Sequence, residues 1–192
     1  MERVERHSKV SDIPMRLDCA LTYQIPSGAA DLYTPSKRVD RLLNTEEWKQ
    51  ILNEAWDWGI PQVVFTGGEP TLRPDLQEII LHAEELGQVT GLITDGDRLS
   101  DKDYFEQLLN SGLDHLMIIL NDNEEYSWEA IRDAVQEDIH LTVHITINVR
   151  IYSKLETILE KLIGLGVKNV SFSSPTKAYE EHLSGASQLA AE

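Results

Sequence analysis

The sequence predicts an α/β fold, a partial (β/α)6 TIM-like barrel, and three observations carry that expectation. Six apolar runs of strand length alternate strictly with five stretches of helical period, the pattern of a parallel sheet with crossover helices. One strand alternates polar and apolar residues along its whole length, as a strand lining a wet lumen does. Glycine stands just past four of the helical stretches, where a left-handed C-cap belongs.

Taken in order, the first strand is RLDCALTY (Arg16–Tyr23). The first helix is Thr45–Trp58, opened by Asn44 with Glu47 three residues on, a capping box. QVVFTG (62–67) forms the second strand and Pro74–Leu86 the second helix. VTGLITDG (89–96) precedes a helix over Asp101–Asn110, and HLMIIL (115–120) precedes one over Ser127–Glu137. HLTVHITIN (140–148) leads to a helix over Leu155–Leu165, and NVSFSS (169–174) closes the series. The four terminal glycines are Gly59, Gly87, Gly112 and Gly166.

The fifth strand decides between a curved and a flat sheet. Leu141, Val143, Ile145 and Ile147 alternate with His140, Thr142, His144, Thr146 and Asn148. A doubly wound sheet buries both faces and reads apolar throughout, so an open barrel with helices outside is favoured. Sites on such barrels form at the C-terminal mouth. No repeat, low-complexity segment or Pro/Gly-rich linker divides the chain. Residues 1–192 are therefore read as one domain, with an N-terminal extension (1–15), a barrel core (16–174) and a C-terminal helix or tail (175–192).

Composition excludes several partners. Lys and Arg number 17 against 33 Asp and Glu, a net charge of -16 that repels phosphate backbones and anionic lipid, so neither nucleic acid nor membrane is expected. The lone Cys19 forms no internal disulfide, and MERVERHSKVSDIP lacks the apolar core of a signal peptide. A soluble, cytoplasmic protein is the expectation.

TGGEP (Thr66–Pro70) ends the second strand. Two glycines allow close backbone approach, and Glu69 stands at the mouth before the helix that opens at Pro74. GGE alone is as readily a turn with a solvated glutamate. Its setting, with GLITDG at the third strand and HLMIIL at the fourth, makes Leu17 to Ser174 resemble the radical S-adenosylmethionine (SAM) superfamily, especially members that mature peptides and cofactors.

In that family the loop after the first strand carries CxxxCxxC, whose thiolates hold three irons of a [4Fe–4S] cluster while SAM chelates the fourth. Laid on TYQIPSGAADLYTP, the family frame puts Thr22, Tyr23, Tyr33 and Pro35 in register and the cysteine positions on Ile25, Ala29 and Leu32. The resemblance thus implies a cluster loop without its ligands, repacked by apolar side chains. Cys19, inside the apolar first strand, is read as a buried structural cysteine. No cofactor, no metal and no [4Fe–4S] cluster is expected, with weak residual SAM binding the most that remains. Ile25 and Leu32 are expected to be at least partly buried.

Other departures point the same way. The family's TNG reads TDG here, which puts the Asp95 carboxylate where the adenosine group is received. Asn121 and Asp122 follow the fourth strand, where the family often has a basic residue and a Gly-rich turn. In the family the GGEP loop meets the amino group of the SAM methionine. Carried over, the candidate ligand-binding set is Tyr33, Gly67, Gly68, Glu69, Pro70, Thr94 and Asp95, with no catalytic residue assigned.

The remaining features read as structural. Trp48, Trp56 and Trp58 fall on the first helix, with Trp48 and Trp56 near one face and read as core. Acidic runs such as Glu84–Glu85 are solvated faces or, alternatively, the footprint of a basic partner. The expected function is a radical-SAM-like protein acting as a binding or regulatory partner of an active homologue or of a peptide substrate. The enzyme alternative stands beside it: a radical SAM enzyme with an unforeseen cluster ligation, or a cluster-free SAM-binding enzyme.

Overall fold

Six parallel strands lie in sequence order, β1-β2-β3-β4-β5-β6, in a single sheet. They are β1 (Arg16–Thr22), β2 (Gln62–Gly67), β3 (Val89–Thr94), β4 (His115–Ile119), β5 (His140–Thr146) and β6 (Val170–Ser173). The computed structural model describes residues 14–26 and 40–174. Ala29, Leu32, Tyr33 and Pro35, residues 1–13 of the N-terminal extension and the tail over 175–192 lie outside the described residues.

The strand periodicity sets which face is covered. Val63, Phe65, Leu92, Leu116, Ile118, Val143 and Ile145 are buried in the core. Between them on β5, Thr142, His144 and Thr146 are only partly covered, which places the polar set on the opposite, lumen face. The helices α1 (Thr45–Asp57), α2 (Leu76–Leu86), α3 (Lys102–Asn110), α4 (Glu125–Ala134) and α6 (Leu155–Leu165) follow the strands as expected. Their apolar stripes supply Leu52, Ile79, Ile80, Leu108, Ile131 and Leu162 to the same core. The capping box forms: Glu47 N–H donates to the Asn44 side chain, and the Glu47 carboxylate accepts from Asn44 N–H. The four terminal glycines all have positive φ, between 80° at Gly59 and 91° at Gly87.

Three local features depart from the sequence reading. A short helix, α5 (Val149–Tyr152), intervenes after β5 because the Asn148 side chain accepts from Ile151 N–H and starts a turn there. α4 begins at Glu125 rather than Ser127 and ends at Ala134 rather than Glu137. Trp48 is buried, but Trp56 is 40% exposed and Trp58 69%. Eight helical residues turn through about 800°, so Trp56 sits about 80° round the helix from Trp48 and leaves the core stripe. Among the described residues no helix is long and apolar enough to cross a membrane.

Candidate functional site

The mouth is built where the C-terminal ends of β1, β2 and β3 meet. Gly67, with φ 130°, and Gly68 bring the β2 backbone against the end of β1. Gly68 N–H donates to Thr22 O at 2.6 Å, and Glu69 N–H donates to Gln24 O at 2.6 Å. A Cβ at Gly67 would stand 2.3 Å from Thr22 O and one at Gly68 1.9 Å from Gln24 O, so both positions require glycine. The glycines serve chain-to-chain packing.

Glu69 is 3% exposed and takes four hydrogen bonds. Its Oε1 accepts from Thr71 N–H at 3.0 Å, Thr71 Oγ1 at 2.6 Å and Thr94 Oγ1 at 2.7 Å. Its Oε2 accepts from Asp95 N–H at 2.8 Å. Of a carboxylate's about four lone-pair sites, those of Oε1 are fully taken and Oε2 keeps room for one further donor. Pro70 opens a one-turn 3-10 helix, Pro70–Leu72, of which Glu69 is the N-cap.

Asp95 lies beside it, 7% exposed. Asp97 N–H donates to Asp95 Oδ1 at 3.0 Å, while Oδ2 is buried without a hydrogen-bond partner. Burial, then the Glu69 charge, pushes the Asp95 carboxyl up to about 7. The Tyr126 phenol, held up chiefly by burial, also lies within the field of Asp95 and Asp97.

Of the sequence-derived set, the fold brings Gly67, Gly68, Glu69, Pro70, Thr94 and Asp95 together, and Tyr33 falls outside the described residues. Ile25 is half-buried, as expected of a residue packed at the mouth. Ile25→Asp is expected to lower stability by about 1–2 kcal/mol by placing a charge there. An unchanged melting temperature would show the position to be solvated.

Sequence reasoning missed the side chains that brace this mouth. Arg73 donates to Leu21 O at 2.9 Å and Leu43 O at 3.1 Å, and its Nε and Nη2 form a fork on Asp75 at 2.9 and 2.6 Å. Asp75 also accepts from Thr45 Oγ1 at 2.7 Å, and the Arg73 hydrogen bonds hold its carboxyl below the usual range. One guanidinium thus joins the end of β1, the entry to α1 and the start of α2. The signal was the RPD triplet just after GGEPTL. Asp122 is occupied as well: burial works to raise its carboxyl, but Arg150 at 2.9 Å and Lys154 outweigh burial and hold it low. In the lumen, the His144 ring nitrogens meet Ser171 Oγ at 2.8 Å and Ser173 Oγ at 2.9 Å, and burial lowers its pKa.

A three-thiolate cluster set does not fit the residues present. Cys19 is the chain's single cysteine; it is 2% exposed in the core, and burial pushes its thiol up to about 12. Among the described residues no group of three His, Cys, Asp or Glu is placed to hold a metal ion.

Comparison with known proteins puts this geometry in context. Residues 19–139 match the family model of the radical SAM superfamily. The PqqA peptide cyclase of Bradyrhizobium diazoefficiens is 33% identical over 127 residues, 65% of this chain and 33% of that protein. The PqqA peptide cyclase of Granulibacter bethesdensis is 37% identical over 120 residues, 62% of this chain and 32% of that protein. The chain thus spans about a third of the length of these relatives. Among solved structures, Streptococcus suis SuiB bound to S-adenosylmethionine superposes with a TM-score of 0.70 at 16% identity, over 86% of this chain and 41% of SuiB. SuiB bound to the precursor peptide SuiA gives 0.69 at 17% identity, over 88% and 41%.

These matches correct one expectation. The sequence reading expected no cofactor, no [4Fe–4S] cluster and at most weak SAM binding. The matched family is defined by SAM chemistry and the SuiB structure holds SAM, so the loss of cysteines at Ile25, Ala29 and Leu32 does not show the cofactor to be absent. The missing thiolates remove one mode of cluster ligation, and they say nothing of SAM held by other groups.

Proposed function

Because the chain belongs to the radical SAM superfamily, we propose that it works as a peptide-binding member of that family, a binding or regulatory partner of a peptide or of an active homologue. One observation carries the reading. Glu69, the carboxylate of the GGEP loop, is buried and holds four intramolecular hydrogen bonds, so it ties β2 to β3. A ligand's ammonium group would find room at Oε2 alone, and any further contact would displace a bond worth about 1 kcal/mol net.

Its relatives supply the partner class: two are named for cyclising the PqqA peptide, and SuiB was solved with its precursor peptide. The lumen suits such a ligand, with Thr142 and Thr146 offering hydroxyl groups to a main chain beside His144, whose two ring nitrogens are held by Ser171 and Ser173.

The test pairs two measurements. The chain, incubated anaerobically with iron, sulfide, SAM and dithionite, is expected to release no methionine from SAM above a protein-free control. Labelled PqqA and SuiA peptides serve as binding probes, and Thr146→Val, which removes a lumen hydroxyl, is expected to weaken whichever binds by about fivefold, the worth of one lost hydrogen bond. Methionine release over several turnovers would establish the enzyme reading instead. Failure of both probes to bind would remove the peptide role.

A further inference from the structure

At the opposite end of the barrel from the mouth, the helix C-termini form a second face. The turn after α1 and the turn after α2 lie side by side there: Val89 N–H donates to Pro61 O at 2.8 Å, and Gln88 Nε2 donates to Ile60 O at 3.2 Å. Trp56 leans across the gap onto Gly87, where a Cβ would meet its ring at 3.4 Å. Trp58 is exposed on the first of these turns and Val89 at the start of β3 beside them. Large apolar side chains gathered on one surface mark interaction sites more often than solitary ones do.

The two helix ends that frame it carry charge of one sign. The last turn of α1 carries Glu54 and Asp57, that of α2 carries Glu84 and Glu85, and neither contains a basic residue. Among the described residues none of these four carboxylates makes an ion pair; Glu54 accepts only from Gln50 Nε2 at 3.2 Å. Both helices also direct the negative end of their dipoles at this surface. A second copy of the chain is a poor occupant, because each copy carries a net charge of -16.

We propose that this face docks a basic, arginine-containing segment of a partner protein. Guanidinium groups would stack on Trp56 and Trp58 while their N–H groups reach Glu54, Asp57, Glu84 and Glu85. Leucine-sized side chains of the segment would cover Val89. The surface lies at the far end of the strands from Glu69 and Asp95, so it leaves the mouth free.

The probe is a fluorescein-labelled twelve-residue peptide with four arginines and two leucines, followed by anisotropy at fixed ionic strength. Trp56→Ala/Trp58→Ala is expected to weaken its binding about tenfold or more, and Glu84→Gln/Glu85→Gln about fivefold. Glu156→Gln/Glu160→Gln, an equal charge change on exposed α6 positions, is expected to leave binding within about twofold. Circular dichroism melting of each variant excludes misfolding as the cause. Equal weakening by all three variants, or none by the tryptophan pair, would overturn the proposal by showing attraction to net charge alone. A concentration-dependent dimer abolished by Trp58→Ala would also overturn it, assigning the face to self-association.

Discussion

Replacing Gly68 by alanine is expected to cost about 3–4 kcal/mol and to lower the melting temperature by about 8–15 °C. The added Cβ would stand 1.9 Å from Gln24 O, 2.7 Å from Gln24 C and 2.9 Å from Tyr23 C. All three are backbone atoms, so no rotamer change relieves the clash and the two chain segments must separate. Separation breaks the bonds from Gly68 N–H to Thr22 O and from Glu69 N–H to Gln24 O. It also displaces Glu69, the common acceptor for Thr71, Thr94 and Asp95. Gly59→Ala is the control: φ is 80° there, unlike Gly68, but nothing lies within 4 Å, so the expected cost is about 1 kcal/mol from backbone strain alone. Thermal unfolding of both variants checks the contrast. Equal losses would mean that the close approach at Gly68 relaxes without consequence.

The contrast shows what the sequence could and could not convey. GGEP was legible as a mouth loop through its setting, at the end of the second of six alternating strands, because two glycines and an acid alone read as readily as a solvated turn. Alternation in HLTVHITIN was enough to predict a curved sheet with a polar lumen, because the side-chain period of a strand follows directly from its geometry. What Glu69 does with its carboxylate was not legible. Its donors come from Thr71, Thr94 and Asp95, and the β3 pair stands 25 and 26 residues away, brought near only by strand pairing. Arg73 escaped notice for the same reason: its acceptors Leu21 O and Leu43 O are main-chain atoms, 52 and 30 residues distant, which no side-chain motif records. Trp56 went the other way. Its eight-residue spacing from Trp48 read as one face, and the 40% exposure came from the 3.6-residue turn carrying it off the stripe.

Asp95→Asn is expected to stabilise the protein at pH 8 by about 2 kcal/mol and to change it little at pH 4. The Asp95 carboxyl is buried beside Glu69, its Oδ2 faces no donor, and its pKa rises from an ordinary 3.8 to about 7. A raised acid in the folded state binds more protons than the unfolded chain between those two values. The stability it contributes is therefore fully present below about pH 4, falls as pH climbs towards 7, and is lost above that. A displacement from about 4 to about 7 is worth up to about 4 kcal/mol, and half of that is a fair share once relaxation around the Glu69 pair is allowed for. Asparagine keeps the shape, offers an N–H toward Glu69 as the protonated acid does, and cannot ionise. His144 also titrates, its pKa lowered by burial, but it is common to both proteins and cancels in their difference. The measurement is urea unfolding of wild type and Asp95→Asn at pH 4, 6 and 8. A difference that grows with pH supports a carboxyl forced to ionise in place, whereas a constant difference would place Asp95 in water and free of Glu69.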